Sequence, residues 1–218
     1  MSSASKGHTS GYSSLLNLEE QFTFYSSYHN DRYNVAIHLL CVWPILWTGL
    51  ALLAALPSMG SLPPDFIEHL PFRPEAWALH LGSSIVLLYT FFYCILDPIA
   101  GGLASVMVLS CYVTSNLWVA DGGSIALAGA VHLAGWAAQV YGHSVHERRA
   151  PALVDNLFQV FRYLYQAFLA APLFVLFEVL FVFGYRPGLK KRVKTNALRN
   201  IKEYRAALAS NATGNKQD

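Results

Sequence analysis

The run "NVAIHLLCVWPILWTGLALLAAL", residues 34–56, holds 23 residues without a full charge. As a helix rising 1.5 Å per residue it reaches about 35 Å, more than the roughly 30 Å of a bilayer's hydrocarbon core. It reads as a first membrane span, with Pro44 inside it expected to kink or divide the helix.

Three more runs of similar kind follow: residues 76–96, residues 99–120 after the break at Asp97-Pro98, and residues 124–141 after the turn "DGG". The proline-dense "PSMGSLPPDFIEHLPFRPE" between the first two is a loop. A last apolar stretch, residues 157–183, contains Arg162, Gln166, Pro172 and Glu178 and suits a packed or re-entrant helical hairpin better than a lipid-facing span. The expected fold is therefore all-α: a polytopic membrane helix bundle of about four transmembrane helices plus that C-terminal hairpin. Residues 1–14 are expected to be a disordered tail, residues 15–187 the membrane-embedded domain, and residues 188–218 a basic tail. Four spans put both termini on one side, and the Lys/Arg-rich C-terminal segment makes that side cytoplasmic.

Composition agrees with this reading. Of the 218 residues 54% are hydrophobic and 13% charged, where a soluble domain averages about 25% charged. A net charge of +2 gives no support to nucleic-acid binding. Cys41, Cys94 and Cys111 lie in apolar runs without metal-type spacing, so no disulfide framework is expected. The first fifteen residues lack the apolar core of a removable signal peptide.

Histidines are the feature that lipid does not explain. His29 and His38 flank the entry to the first span, and His132 and His143 occupy the end of the fourth, all on the same side of the membrane. Ionisable groups within spans are costly and face protein or a wet cavity. His132 and His143, eleven positions apart, fall on one helical stripe; His29 and His38, nine apart, are half a turn out of phase and need a bend to meet. On continuous helices each pair is separated by about 13 to 17 Å, too far for two ligands of one metal. Two arrangements stay open: one site assembled through non-helical segments near residues 30–34 and Gly142, or two levels pairing His29 with His143 and His38 with His132. Imidazoles suit zinc, copper, iron or nickel alike. His146 and His80 read more simply as a solvated and a hydrogen-bonded histidine.

"YHNDRYNVAIH" and "HLAGWAAQVYGHSVHERRAPALVDNLFQVF" with the later "APLFVLFEVLF" resemble the two signature blocks of the 2-hydroxy fatty acid dioxygenase family. The resemblance covers roughly residues 15–187, and the second block is the more specific. It implies an endoplasmic-reticulum membrane enzyme that uses iron(II), Fe2+, and dioxygen to shorten a 2-hydroxy fatty acid by one carbon, within phytosphingosine and sphingolipid degradation. It also implies that His29, His38, His132 and His143 are the essential histidines and metal ligands. The chain departs from the family pattern in having His146 just before Glu147 and Val140-Tyr141 where a Phe-Ile type pair is usual.

Four further residues are candidates for substrate binding or for support of the ligands. Glu147 suits orientation of a histidine, and Arg148 and Arg149 suit capture of a fatty-acid carboxylate at the membrane surface. Gln139, one turn before His143, suits a hydrogen bond to a ligand. Four imidazoles would leave an octahedral ion two positions, which a chelating hydroxy acid alone would fill. The competing expectations are a membrane transporter, which inverted repeats would favour and which are not seen, and a non-catalytic scaffold with packed histidines.

Overall fold

A computed structural model describes residues 15–147 and 165–214; the tail expected at 1–14 lies outside them. Every named element among the described residues is helical, beside one isolated β-bridge between Gly60 and Leu79. In chain order they are α1 (Leu18–Tyr28), α2 (Arg32–Ala54), α3 (Pro64–Ile67), a 3₁₀ turn (Pro74–Trp77), α4 (Leu81–Leu96), α5 (Pro98–Ala120) and α6 (Ile125–Tyr141). A π-helical turn (Gly142–Glu147) continues α6, and a second (Tyr165–Ala170) leads into α7 (Ala171–Val182), followed by α8 (Pro187–Gly214). The chain divides into two compact units, one from Tyr28 to Tyr185 and one made by the segments outside it.

Local chemistry sets the helix starts in the larger unit. Asp31 caps α2 by accepting from the amides of Tyr33 and Asn34, and Asp97 caps α5 by accepting from Ile99 and Ala100. Pro98 occupies the first turn of α5, where its missing N–H is no loss. Asp97 is 2% exposed and also accepts from the Tyr185 hydroxyl at 2.8 Å, so the buried carboxylate is fully engaged. The α4–α5 hairpin is close because Gly101 has no side chain; a Cβ there would strike the Tyr93 carbonyl.

Pro44 does not divide α2, which runs through it as one helix of 23 residues. Pro172 likewise begins α7 instead of interrupting it, the position where proline fits a helix without breaking a hydrogen bond. Apart from Glu178, α7 carries only apolar side chains, and Leu173, Phe174 and Phe177 are fully enclosed. It packs on α2 and α5, with Ala171 and Val175 against Val42, Leu39 and Trp43. Hydroxyls of Tyr89 and Tyr93 on α4 donate to the carbonyls of Phe168 and Leu169.

Two helices, α2 and α5, are long and apolar enough to cross a membrane, and residues 167–182 with 187–207 give a third if taken as one broken span. The expected count of about four is not confirmed. Residues 76–80 of the expected second span are spent on the 3₁₀ turn and on an extended His80, whose Nδ1 accepts from Gly82 and whose Nε2 meets Asn116 Oδ1 at 2.8 Å. α4 is thereby left with 16 residues, and α6 has 17 before its backbone widens.

In the smaller unit the segment expected as a basic tail forms a helix of 28 residues. Leu189, Val193, Ala197 and Ile201, four apart, make its buried stripe. Arg192 bridges to Glu19 of α1 at 2.7 Å, and Asn200 donates to Ser27.

A candidate metal centre of three histidines

The gap between α1 and α2, residues 29–31, supplies the bend that the nine-residue spacing demands. There the chain turns back, so that Nε2 of His29 stands 3.0 Å from Nε2 of His38, one and a half turns into α2. His143, on the π-helical turn after α6, completes the group with ring centroids 4.7 Å from His29 and 5.0 Å from His38. One nitrogen from each of the three rings lies within 4.8 Å of the others.

The His38 ring and the backbone beside His29 are each held by named partners. His38, 4% exposed, donates Nδ1–H to the carbonyl of Asn34 at 2.9 Å, which fixes the tautomer and leaves the Nε2 lone pair facing the cluster. Asn34 itself is fully buried; its amide nitrogen donates to the Tyr28 carbonyl and to Glu147. α6 approaches α2 at this level through Gly142, where a Cβ would stand 2.5 Å from Asn34 Oδ1. Glu147 Oε2 accepts from the backbone amides of Asn30 at 3.0 Å and Asp31 at 2.9 Å. The carboxylate therefore grips the backbone beside His29, instead of a ligand ring as the sequence suggested.

The cluster suits a metal on two grounds. His143 Nδ1 is buried without a hydrogen-bond partner, an arrangement that is costly unless something binds it. With Nδ1 of His38 committed as a donor, two imidazole nitrogens confront each other across 3.0 Å, and a cation would use both lone pairs at once. Burial also holds the His143 imidazole below the ordinary histidine range, partly opposed by the charge of Glu147, so its neutral, ligating form is favoured.

His132, the fourth expected ligand, is not in this group. Its Nδ1 lies 3.0 Å from Thr48 Oγ1 and 3.2 Å from the Ile45 carbonyl, and its Nε2 accepts from Trp136 Nε1 at 3.0 Å. Ile45 and Thr48 are seven and ten residues beyond His38 on α2, which sets His132 about 10 to 15 Å further along that helix. Neither open arrangement from the sequence is seen whole: three histidines share one site and the fourth joins α6 to α2 elsewhere. Gln139, one turn before His143, is 7% exposed with its Nε2 unpartnered. His146 lies against the rings of Tyr33 and Tyr141, and its Nδ1 is 3.9 Å from Asp31. Arg148 and Arg149 lie outside the described residues. Asn34 is the functional residue that the sequence reading passed over; only its position four residues before His38 hinted at it.

A helical membrane protein with three imidazoles gathered where α2 and α6 meet falls in the class of membrane proteins with a histidine cluster that could hold a metal ion. Comparison with known proteins gives the class a family. Residues 15–182 match the family described as 2-hydroxy-palmitic acid dioxygenase Mpo1-like. The chain is also 33% identical over 180 residues to the 2-hydroxy-palmitic acid dioxygenase MPO1 of Saccharomyces cerevisiae, covering 81% of this chain and 87% of that protein. The chain belongs to this family. No solved structure matches it significantly.

Proposed function

We propose that the chain is an iron(II)-dependent dioxygenase that removes one carbon from a 2-hydroxy fatty acid. The observation that carries this reading is the buried cluster of His29, His38 and His143 in a chain of the dioxygenase family. Oxidising a 2-hydroxy acid with one dioxygen balances as the shortened acid, carbon dioxide and water, so no further reductant enters the overall reaction. Iron(II) held by the three imidazoles would supply electrons to dioxygen and positive charge to the substrate's carboxylate and hydroxyl. Three imidazole ligands would leave room beside them for both oxygens of a hydroxy acid and for dioxygen, where four would not.

The protein's own groups bind and orient. His38 is turned inward by the Asn34 carbonyl, and Gln139 offers a buried amide donor for a carboxylate or hydroxyl oxygen. His132 acts as a bolt between α2 and α6, outside the ligand set. The lipid substrate fits a protein whose α4 and α5 present Leu87, Phe91, Ile99 and Val106 outward, faces made for a bilayer. In this reading α2, α4, α5 and α6 all cross the endoplasmic-reticulum membrane, with both termini and the histidine cluster at its cytoplasmic face.

The test is turnover by protein purified in detergent, supplied with iron(II) and 2-hydroxypalmitate. Oxygen uptake and the acid one carbon shorter should appear in equal amounts. Uptake without the shortened acid, or no uptake at all, would overturn the assignment.

A further inference from the structure

We infer that Glu147 is a positioning residue of the histidine centre, the clamp that holds His29 in register with His143; this rests on the metal reading above. The loop that carries His29 has no helix of its own. Between the end of α1 and the Asp31 cap of α2, the amides of Asn30 and Asp31 precede the helix and have no partner within it. One atom takes both of them: Glu147 Oε2, at 3.0 and 2.9 Å, with the side-chain amide of Asn34 as third donor at 3.3 Å.

The span of chain closed by this contact matters. Glu147 is more than a hundred residues from its three donors, yet it sits four residues after His143 on the same π-helical turn. Asn30 directly follows His29, and Asn34 presents the carbonyl that orients His38. A single carboxylate thus contacts the residue that follows His29 and the residue whose carbonyl orients His38. Its charge also lies at the N-terminus of α2, where the helix field favours an anion. A surface ion pair would need none of this convergence.

The clamp differs from a merely structural contact in what its loss disturbs. Without it α2 keeps its Asp31 cap and the bundle keeps its core, but the two-residue link behind His29 is released. The third imidazole then has to be ordered at the moment of binding, so metal affinity falls while folding persists.

The experiment is anaerobic titration of the metal-free full chain in detergent with iron(II), and with cobalt(II) as a spectroscopic reporter. Glu147→Ala should weaken binding by about 10- to 100-fold, and Glu147→Gln, which keeps an acceptor oxygen without the charge, should fall between it and wild type. Hydrogen exchange at residues 30 and 31 should quicken in both variants without metal present. The double variant His29→Ala/Glu147→Ala should bind no more weakly than His29→Ala alone, because the clamp works through His29. Unchanged affinity in the Glu147 variants, or losses that simply add in the double variant, would overturn the clamp while leaving the metal centre standing. A wild type that takes up no metal would overturn the metal reading itself, and the positioning role with it.

Discussion

Nε2 of His38 faces Nε2 of His29 at 3.0 Å while its Nδ1–H is held by the Asn34 carbonyl at 2.9 Å. A neutral imidazole with its proton fixed on the far nitrogen has its free lone pair turned into the cluster, as the proposed metal site requires.

Replacement of any one of His29, His38 or His143 by Ala should therefore lower iron(II) affinity by more than the roughly 100-fold upper end expected for an outer supporting group. Metal content per protein after gel filtration is the measurement. A variant of these three that retained full metal would leave the ligand set.

His132→Ala should behave differently. The substitution strands Trp136 Nε1–H and removes the tie to Thr48 and Ile45, which keep their own bonds within α2, and an unsatisfied group of this kind costs about 1 to 3 kcal/mol. Metal content should stay at the wild-type level while the unfolding temperature in detergent drops. Loss of metal at unchanged stability would make His132 a ligand after all.

Gln139→Leu should raise both KM and the unfolding temperature. If the buried amide receives a substrate oxygen, losing a hydrogen bond to a charged group of about 1.5 to 3 kcal/mol raises KM by roughly 10- to 100-fold. Removing an unpartnered Nε2 should at the same time stabilise the substrate-free protein. Steady-state kinetics beside thermal unfolding reads both, and an unchanged KM would end the substrate role.

Acid should destabilise the metal-free protein through His143. Burial keeps its folded pKa below the unfolded value of about 6.5, so below that pH the unfolded chain binds more protons and stability declines as pH falls. Unfolding temperatures measured from about pH 7 down to about pH 5 should show a slope that His143→Ala reduces. An equal slope in the variant would assign the effect to other groups.

Much of the bundle was legible as sequence because apolar runs are local: the runs 34–56, 99–120 and 124–141 fall on α2, α5 and α6, although α2 starts two residues earlier, after its Asp31 cap. α4 began later than its apolar run because His80, bonded to the distant Asn116 and capping the helix through the local Gly82 amide, takes extended backbone. In the candidate site, three of the four histidines named from the sequence are found together, and spacing showed that His29 needed a bend. What spacing cannot contain is the identity of distant partners. Trp136, Thr48 and Ile45 engage both nitrogens of His132, and Glu147 binds backbone amides that have no residue type to read.

The shortness of α4 has a consequence for the proposed reading that sets it across the membrane. Sixteen residues reach about 24 Å, some 6 Å less than an average hydrocarbon core, while Leu87, Leu88 and Phe91 point outward. In that reading lipid next to α4 would have to thin to meet it, at a cost of fractions of a kcal/mol per ångström that shrinks in a naturally thin bilayer. Hydrophobic mismatch at one helix would then favour thin membranes and dimple the leaflet beside it.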